Sequence, residues 1–205
     1  MGYQFFLDRR PHNGLTFEEY FNRMELKANT TNLATLSEND RIEFNHIKLN
    51  YQRCYRILKT HKLNENLCQL IKQISSPQLW MVLTENWCGD SAQNLPYIVK
   101  IAECNPLINL RILLRDQNTD IMDLYLSEGK LRSIPKLVVF NEQGVELFQW
   151  GARPKEAQDL VTKLKSERLS KEIFLNRLHL WYGRNRGKNL ENEFIDIIGK
   201  LIPKN

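Results

Sequence analysis

The sequence predicts an α/β fold: a central mixed sheet with flanking helices, an added N-terminal helical segment and a C-terminal helical tail. Three observations point there. Apolar, β-rich runs at 78–83 and 107–114 are separated by helical patterning. The turn Glu142-Gln143-Gly144 joins two further β-rich runs, 136–140 and 145–150, as an antiparallel hairpin. Helical periodicity dominates before residue 77 and after residue 165.

From the N-terminus, Pro11-His12-Asn13-Gly14 is a turn signal. Thr16 and Glu19 then have capping-box spacing, opening a helix to about Lys27. A polar loop is expected over Asn29–Leu36. Ser37-Glu38-Asn39-Asp40 caps the longest helical pattern, which runs to about Thr60. Its expected buried stripe is Phe44, Ile47, Tyr51, Cys54, Tyr55 and Leu58, which makes Cys54 a packed thiol. A shorter helix, Glu65–Ile74, stops at Ser75-Ser76-Pro77.

Gln78–Leu83 is nearly all apolar, as a strand covered on both faces should be. A helix follows from Cys88 to about Cys104, with a kink expected at Pro96. Leu107–Leu114 is the next strand, and Asp120–Ser127 a helix that Gly129 ends. Pro154 sits near the first turn of a helix reaching about Lys165. Helices at Lys171–Tyr182 and Leu190–Leu201 complete the tail. With no Gly/Ser/Pro linker, residues 1–77 read as an extension packed on a core at 78–165, and 166–205 as a tail on the same unit.

Composition narrows the function classes. The 205 residues are 42% hydrophobic and 26% charged, ordinary for a globular protein with one sizeable core. The net charge of +5 is mild, and no basic run argues for nucleic acid. No apolar run suits a signal peptide or a membrane span. Cys54, Cys68, Cys88 and Cys104 lie far apart with no CxxC, so neither a disulfide framework nor a zinc site is expected. Their reading is a cytoplasmic protein in a reducing compartment. The histidines at 12, 46, 61 and 179 lack metal-ligand spacing, so no metal or cofactor is expected.

The chemistry concentrates in Trp87-Cys88-Gly89-Asp90-Ser91, where an apolar strand hands over to a helix. A cysteine there faces the helix N-terminal N–H groups, which favour thiolate over thiol. Ser133-Ile134-Pro135 heads a β-rich run some fifty residues later.

WCGDS, then SIPKLVVF, Gly144 and Gly151, in that order, resembles the thioredoxin family, over about residues 78–165. It is closest to bacterial thioredoxin-like proteins with WCGD in place of WCGPC. The resemblance implies a thioredoxin-like fold and a cis bond between Ile134 and Pro135. It also implies Cys88 as nucleophile, with Pro135 facing it and Ile134 contacting substrate. Three departures qualify that: Ser91 replaces the second cysteine, Asp90 replaces proline, and Val82 stands where the family keeps a buried acid. Ser91 offers a hydroxyl to the Cys88 sulfur but closes no disulfide. Asp90 suits a helix N-terminus yet disfavours a neighbouring thiolate.

The expected function is therefore monothiol thiol–disulfide exchange. Cys88 attacks a protein or small-thiol disulfide, and an external low-molecular-weight thiol acts as co-substrate. Ser91 and Pro135 complete the catalytic set. Trp87, Gly89, Asp90, Ile134 and the cation Arg132 are the expected substrate contacts. Arg53, Arg56, Lys59 and Lys62 crowd one helix, either as a solvated face or toward an anionic thiol. The alternative function is a redox-inactive peptide-binding or chaperone-like module. A weaker one, cluster ligation as in CGFS monothiol glutaredoxins, fits poorly with Trp87 and the long helical preface.

Overall fold

The computed structural model describes residues 3–30 and 36–202. The polar loop expected over 29–36 therefore lies largely outside the described residues.

The N-terminal segment carries α1 (Gln4–Leu7), α2 (Phe17–Thr30), α3 (Glu38–Thr60) and α4 (Glu65–Ile71). The capping box forms: Thr16 N donates to Glu19 Oε2 at 2.8 Å and Glu19 N to Thr16 Oγ1 at 3.2 Å. Ser37 caps α3 through Asp40 N at 3.2 Å. The buried stripe of α3 is Phe44, Ile47, Asn50, Cys54 and Ile57. Tyr55, expected inside, is 49% exposed. The stripe is turned because polar Asn50 goes inward, donating to the Asn86 carbonyl at 3.0 Å.

The sheet has the order β2-β1-β3-β4, formed by β1 (Gln78–Thr84), β2 (Ile108–Leu114), β3 (Lys136–Asn141) and β4 (Glu146–Gly151). β1 runs parallel to β2 and antiparallel to β3, and β3 antiparallel to β4. This is the expected mixed sheet. Trp80, Met81, Val82 and Leu83 are fully buried because helices or loops cover both faces of β1. On one face, Ile47, Cys54 and Ile57 of α3 share a core with Trp80 and Val82. The same core takes in Ala92, Leu95 and Ile98 of α5 (Gly89–Ala102). On the other, Phe5, Ile121 and Met122 pack on Met81, Leu83, Val138 and Phe140. Pro96 lies inside α5 without ending it.

The helix expected over Asp120–Ser127 shrinks to α6 (Thr119–Met122), after a 3-10 turn at Arg115–Gln117. Beyond it, Ser127 N bonds to Leu131 O at 2.8 Å, with Gly129 at φ +68° in the connecting turn. Gly129 thus serves a small hairpin, not a helix end.

α7 (Lys155–Ser166), α8 (Lys171–Asn185) and α9 (Lys188–Leu201) follow. The tail returns to the core in two places. Leu178 and Tyr182 of α8 cluster with Ala157 and Val161 of α7. Phe194 of α9 packs between Trp80 and Trp150 in tilted geometry, each 5.8 Å away between ring centres.

One cysteine expectation is overturned. Cys68 on α4 and Cys104 just past α5 are disulfide-bonded, with Cα atoms 5.5 Å apart. The two lie far apart in sequence, and only the packing of α4 against α5 brings them together. The bridge also removes the support that unpaired cysteines gave to a reducing compartment.

Candidate active site around Cys88

β1 ends at Thr84, and α5 begins at Gly89 with Cys88 as its N-cap. The sulfur accepts from Ser91 N at 3.5 Å. It also lies 3.3 Å from the Ile134 carbonyl oxygen, to which the thiol donates. The Ile134–Pro135 bond is cis. Gly151 backs this loop: at φ +123°, a Cβ there would sit 2.1 Å from Pro135 O, so only glycine fits. The Ser91 hydroxyl is fully buried, 2.7 Å from the Thr84 hydroxyl, and also hydrogen-bonds the sulfur.

The thiol is not acidic. Cys88 is only 9% exposed, and its pKa is raised. Burial is the main cause and the Asp90 charge the second; the Ser91 hydrogen bonds oppose both. The helix N-terminus therefore loses to desolvation, against the expectation of a favoured thiolate. At rest the group is a thiol held on Ile134 O.

Asp90 is held from two sides. Arg153 Nη2 pairs with its Oδ2 at 2.5 Å, and Tyr182 Oη donates to its Oδ1 at 2.7 Å. Asn94 Nδ2 donates to the Asp90 carbonyl at 2.9 Å and to Tyr182 Oη at 3.1 Å. His179, one turn before Tyr182, lies against Gly89, where an added Cβ would approach its ring to 3.0 Å. Gln93 Nε2 meets His179 Nδ1 at 3.4 Å. Burial, then the charge of Arg53, lowers the His179 pKa to about 4, so the ring is neutral at pH 7.

Trp87 carries the Arg115 guanidinium over its ring at 4.9 Å. Arg132, expected to face substrate, makes a two-pronged pair with Asp123 at 2.6 and 2.7 Å and still lines the cleft. Asn50, Arg53, Trp87, Ile134 and His179 line a cleft of about 370 Å³ over Cys88. The cations on and just after α3 divide. Arg53 joins this cleft, Arg56 and Lys62 line a separate cavity with Tyr97, and Lys59 sits over the Tyr55 ring.

Sequence reasoning placed Cys88, Ser91 and Pro135 in one neighbourhood and missed Arg153, His179 and Tyr182. A faint signal existed for two of them. His179 and Tyr182 stand three apart, on one helix face. Arg153 carried none. The buried carboxylate Glu85 was also missed; it accepts from Asp116 N at 2.9 Å, and burial raises its pKa. Val82, at the family's acid position, is wholly buried in the sheet.

A thioredoxin family profile matches residues 35–165. The chain belongs to the thioredoxin family. The match begins before α3, so α3 and α4 fall within the family's span, wider than the motif resemblance suggested. Two solved structures are similar. One is an HIV epitope scaffold, 19% identical, covering 91% of this chain and 99% of its own, with a TM-score of 0.53. The other is a Pseudomonas aeruginosa protein of unknown function, 17% identical, covering 90% of this chain and 96% of its own, with a TM-score of 0.51. At these identities the likeness is one of fold. No curated protein matches the sequence. Among the described residues, no cluster of His, Cys, Asp or Glu is placed to hold a metal, and no helix is long and apolar enough to cross a membrane.

Proposed function

We propose that this thioredoxin-family protein is a monothiol thiol–disulfide oxidoreductase, with Cys88 as nucleophile. The observation that carries the reading is the Cys88 sulfur at the N-cap of α5, 3.3 Å from the carbonyl of the cis Ile134–Pro135 bond. Both the attacking atom and a backbone acceptor for substrate lie at one point.

The cycle begins when Cys88 gives its proton to solvent and attacks one sulfur of R–S–S–R′. A Cys88–S–S–R bond forms, the S–S bond of the substrate breaks, and R′S⁻ leaves and takes up a proton. A second thiol, RSH, attacks the Cys88-bound adduct, giving RSSR and free Cys88. In sum, R′–S–S–R and RSH become R′SH and RSSR. The external thiol is required because Cys54, the other free cysteine, is buried with its S–H on Ala92 O at 3.5 Å.

In this reading Ser91 N and the Ser91 hydroxyl stabilise the thiolate once formed. Ile134 and Trp87 flank the bound disulfide. Asp90 and Gly89 shape the turn and bind α8, and Arg132 stands at the rim. The test is incubation with bis(2-hydroxyethyl) disulfide, then mass mapping after acid quench. A stable mixed disulfide at Cys88, released by added thiol, is expected. No adduct at Cys88, together with equal partner capture by wild type and Cys88→Ser, would instead establish the binding-module reading. The raised Cys88 pKa and Ser91 favour that second reading.

A further inference from the structure

The cleft over Cys88 is lined by Arg53, Arg115, Arg132, Arg153 and Lys171, and Asp90 is the sole carboxylate among its described lining residues. Arg115 and Arg132 have carboxylate partners outside the cleft wall, Asp116 and Asp123. Asp90 is already engaged by Arg153 in an ion pair and bonded by Tyr182. Arg53 is half-buried and donates to Asn50 Oδ1 at 3.0 Å, a neutral acceptor that supplies no counter-charge of its own. Lys171 is exposed at the start of α8. The Nε of Arg153 is buried without an acceptor. Burial, then the neighbouring Arg56, press against the charge on Arg53, and the Asp90 charge offsets them only in part. Half-buried positive charge without a bonded counter-ion costs free energy, which an arriving anion recovers.

We infer that the cleft is built for a small thiol or disulfide bearing carboxylates, with Arg53 and Lys171 as its anion-binding side chains. This rests on the thiol-exchange reading above and names the R group of its co-substrate. Shape selects a small molecule over a protein. α3 walls the cleft through Asn50 and Arg53, α8 through Lys171, Leu175 and His179, and the sulfur is recessed. The volume of about 370 Å³ is that of a small-ligand site. The pairing of Asp90 acquires a purpose here: free, its charge would repel such a substrate from the sulfur.

The experiment compares three aliphatic disulfides of similar size: 3,3′-dithiodipropionate (dianion), bis(2-hydroxyethyl) disulfide (neutral) and cystamine (dication). Mixed-disulfide formation at Cys88 is timed by quenched mass spectrometry. Each rate is divided by that of the same disulfide with 2-mercaptoethanol, which removes intrinsic reactivity. The expected order is dianion, neutral, dication, with at least roughly tenfold between the first and last at low salt. The gap should collapse in 1 M NaCl, where screening acts over about 3 Å. Arg53→Ala/Lys171→Ala should cut the dianion-to-dication ratio about tenfold. Lys59→Ala/Lys62→Ala removes the same formal charge outside the cleft and should leave the ratio as in wild type.

Cystamine reacting as fast as the dianion, or a ratio unmoved by the cleft double variant, would overturn the inference while leaving thiol exchange standing. An acidic peptide disulfide outpacing dithiodipropionate would overturn the small-molecule assignment. No adduct from any probe would remove the parent reading as well.

Discussion

Tyr182 Oη donates to Asp90 Oδ1 at 2.7 Å, across 92 residues of sequence. The tail beyond the family match thus reaches into the Cys88 turn. The hydroxyl is buried, Asn94 supplies its second contact, and Arg153 holds the other carboxylate oxygen. Tyr182→Phe leaves the ring packed and removes only the oxygen. The loss of a buried hydrogen bond to a charged group should cost about 1.5–3 kcal/mol, read as a lower urea midpoint at unchanged slope. A midpoint equal to wild type would mean that α8 merely lies beside the turn.

Because burial and the Asp90 charge raise the Cys88 pKa, alkylation should titrate above the ordinary thiol value of 9.0. Asp90→Asn removes one cause and frees Arg153, so its midpoint should move down and its rate at pH 7.5 should rise severalfold. A folded-state pKa above the unfolded one gives stability that is present below the unfolded value. It is lost as pH rises through the folded one. Iodoacetamide kinetics from pH 6 to 10.5, with peptide mapping, check both. A wild-type midpoint under 8 would contradict the burial argument.

What was legible in the sequence, and what was not, follows from range. The sheet could be read because β1 and β3 are apolar over most of their length, and α5 because the WCGDS turn marks its start. Cys88, Ser91 and Pro135 came from motifs whose spacing is local. Arg153, His179 and Tyr182 act through contacts between elements far apart in the chain, which residue patterns do not encode. Cys68 and Cys104 failed for the same reason: nothing in their spacing announces that α4 lies on α5. The thiol pKa went wrong because a helix N-terminus is visible in sequence, whereas the depth of burial that outweighs it is not.

His179 gives an acid-side test. Its pKa falls to about 4 in the folded chain against 6.5 for an exposed ring. The unfolded chain therefore takes up the proton first. Stability present above pH 6.5 should decline as pH falls toward 4. Protonation would also place a second cation beside Arg53. His179→Gln should flatten that part of the curve, measured by chemical unfolding between pH 4 and 7. An identical slope in the variant would assign the acid loss to other groups.

The Cys68–Cys104 bridge predicts that two cysteines escape alkylation in denaturant until a reductant is added. Cys104→Ser should cost about 2–4 kcal/mol, since the bridge restricts the unfolded chain over a separation of 36 residues. Four free thiols in oxidised, denatured protein would refute it. The comparison is made on protein purified without reductant.

Ser91→Cys separates geometry from chemistry. Positions 88 and 91 are three apart at the start of α5, where Cβ atoms lie about 5–6 Å apart. A disulfide needs Cβ atoms about 3.5–4.5 Å apart, so the first turn must close by roughly 1–2 Å. Ser91 N already lies 3.5 Å from the sulfur, and Cys88, as N-cap, stands outside the regular helix, where that shift can be taken up. If thiol exchange at Cys88 lacks only a resolving partner, the variant should release its mixed disulfide without added thiol. In doing so it should close an internal disulfide between Cys88 and the introduced thiol. That thiol must displace the hydroxyl that contacts Thr84 in a fully buried site, so stability should fall by about 1–2 kcal/mol. Release unchanged from wild type, in a variant shown to be folded, would mean that Ser91 points away from the bound disulfide. The fault would then lie in the turn's geometry, not in the missing sulfur.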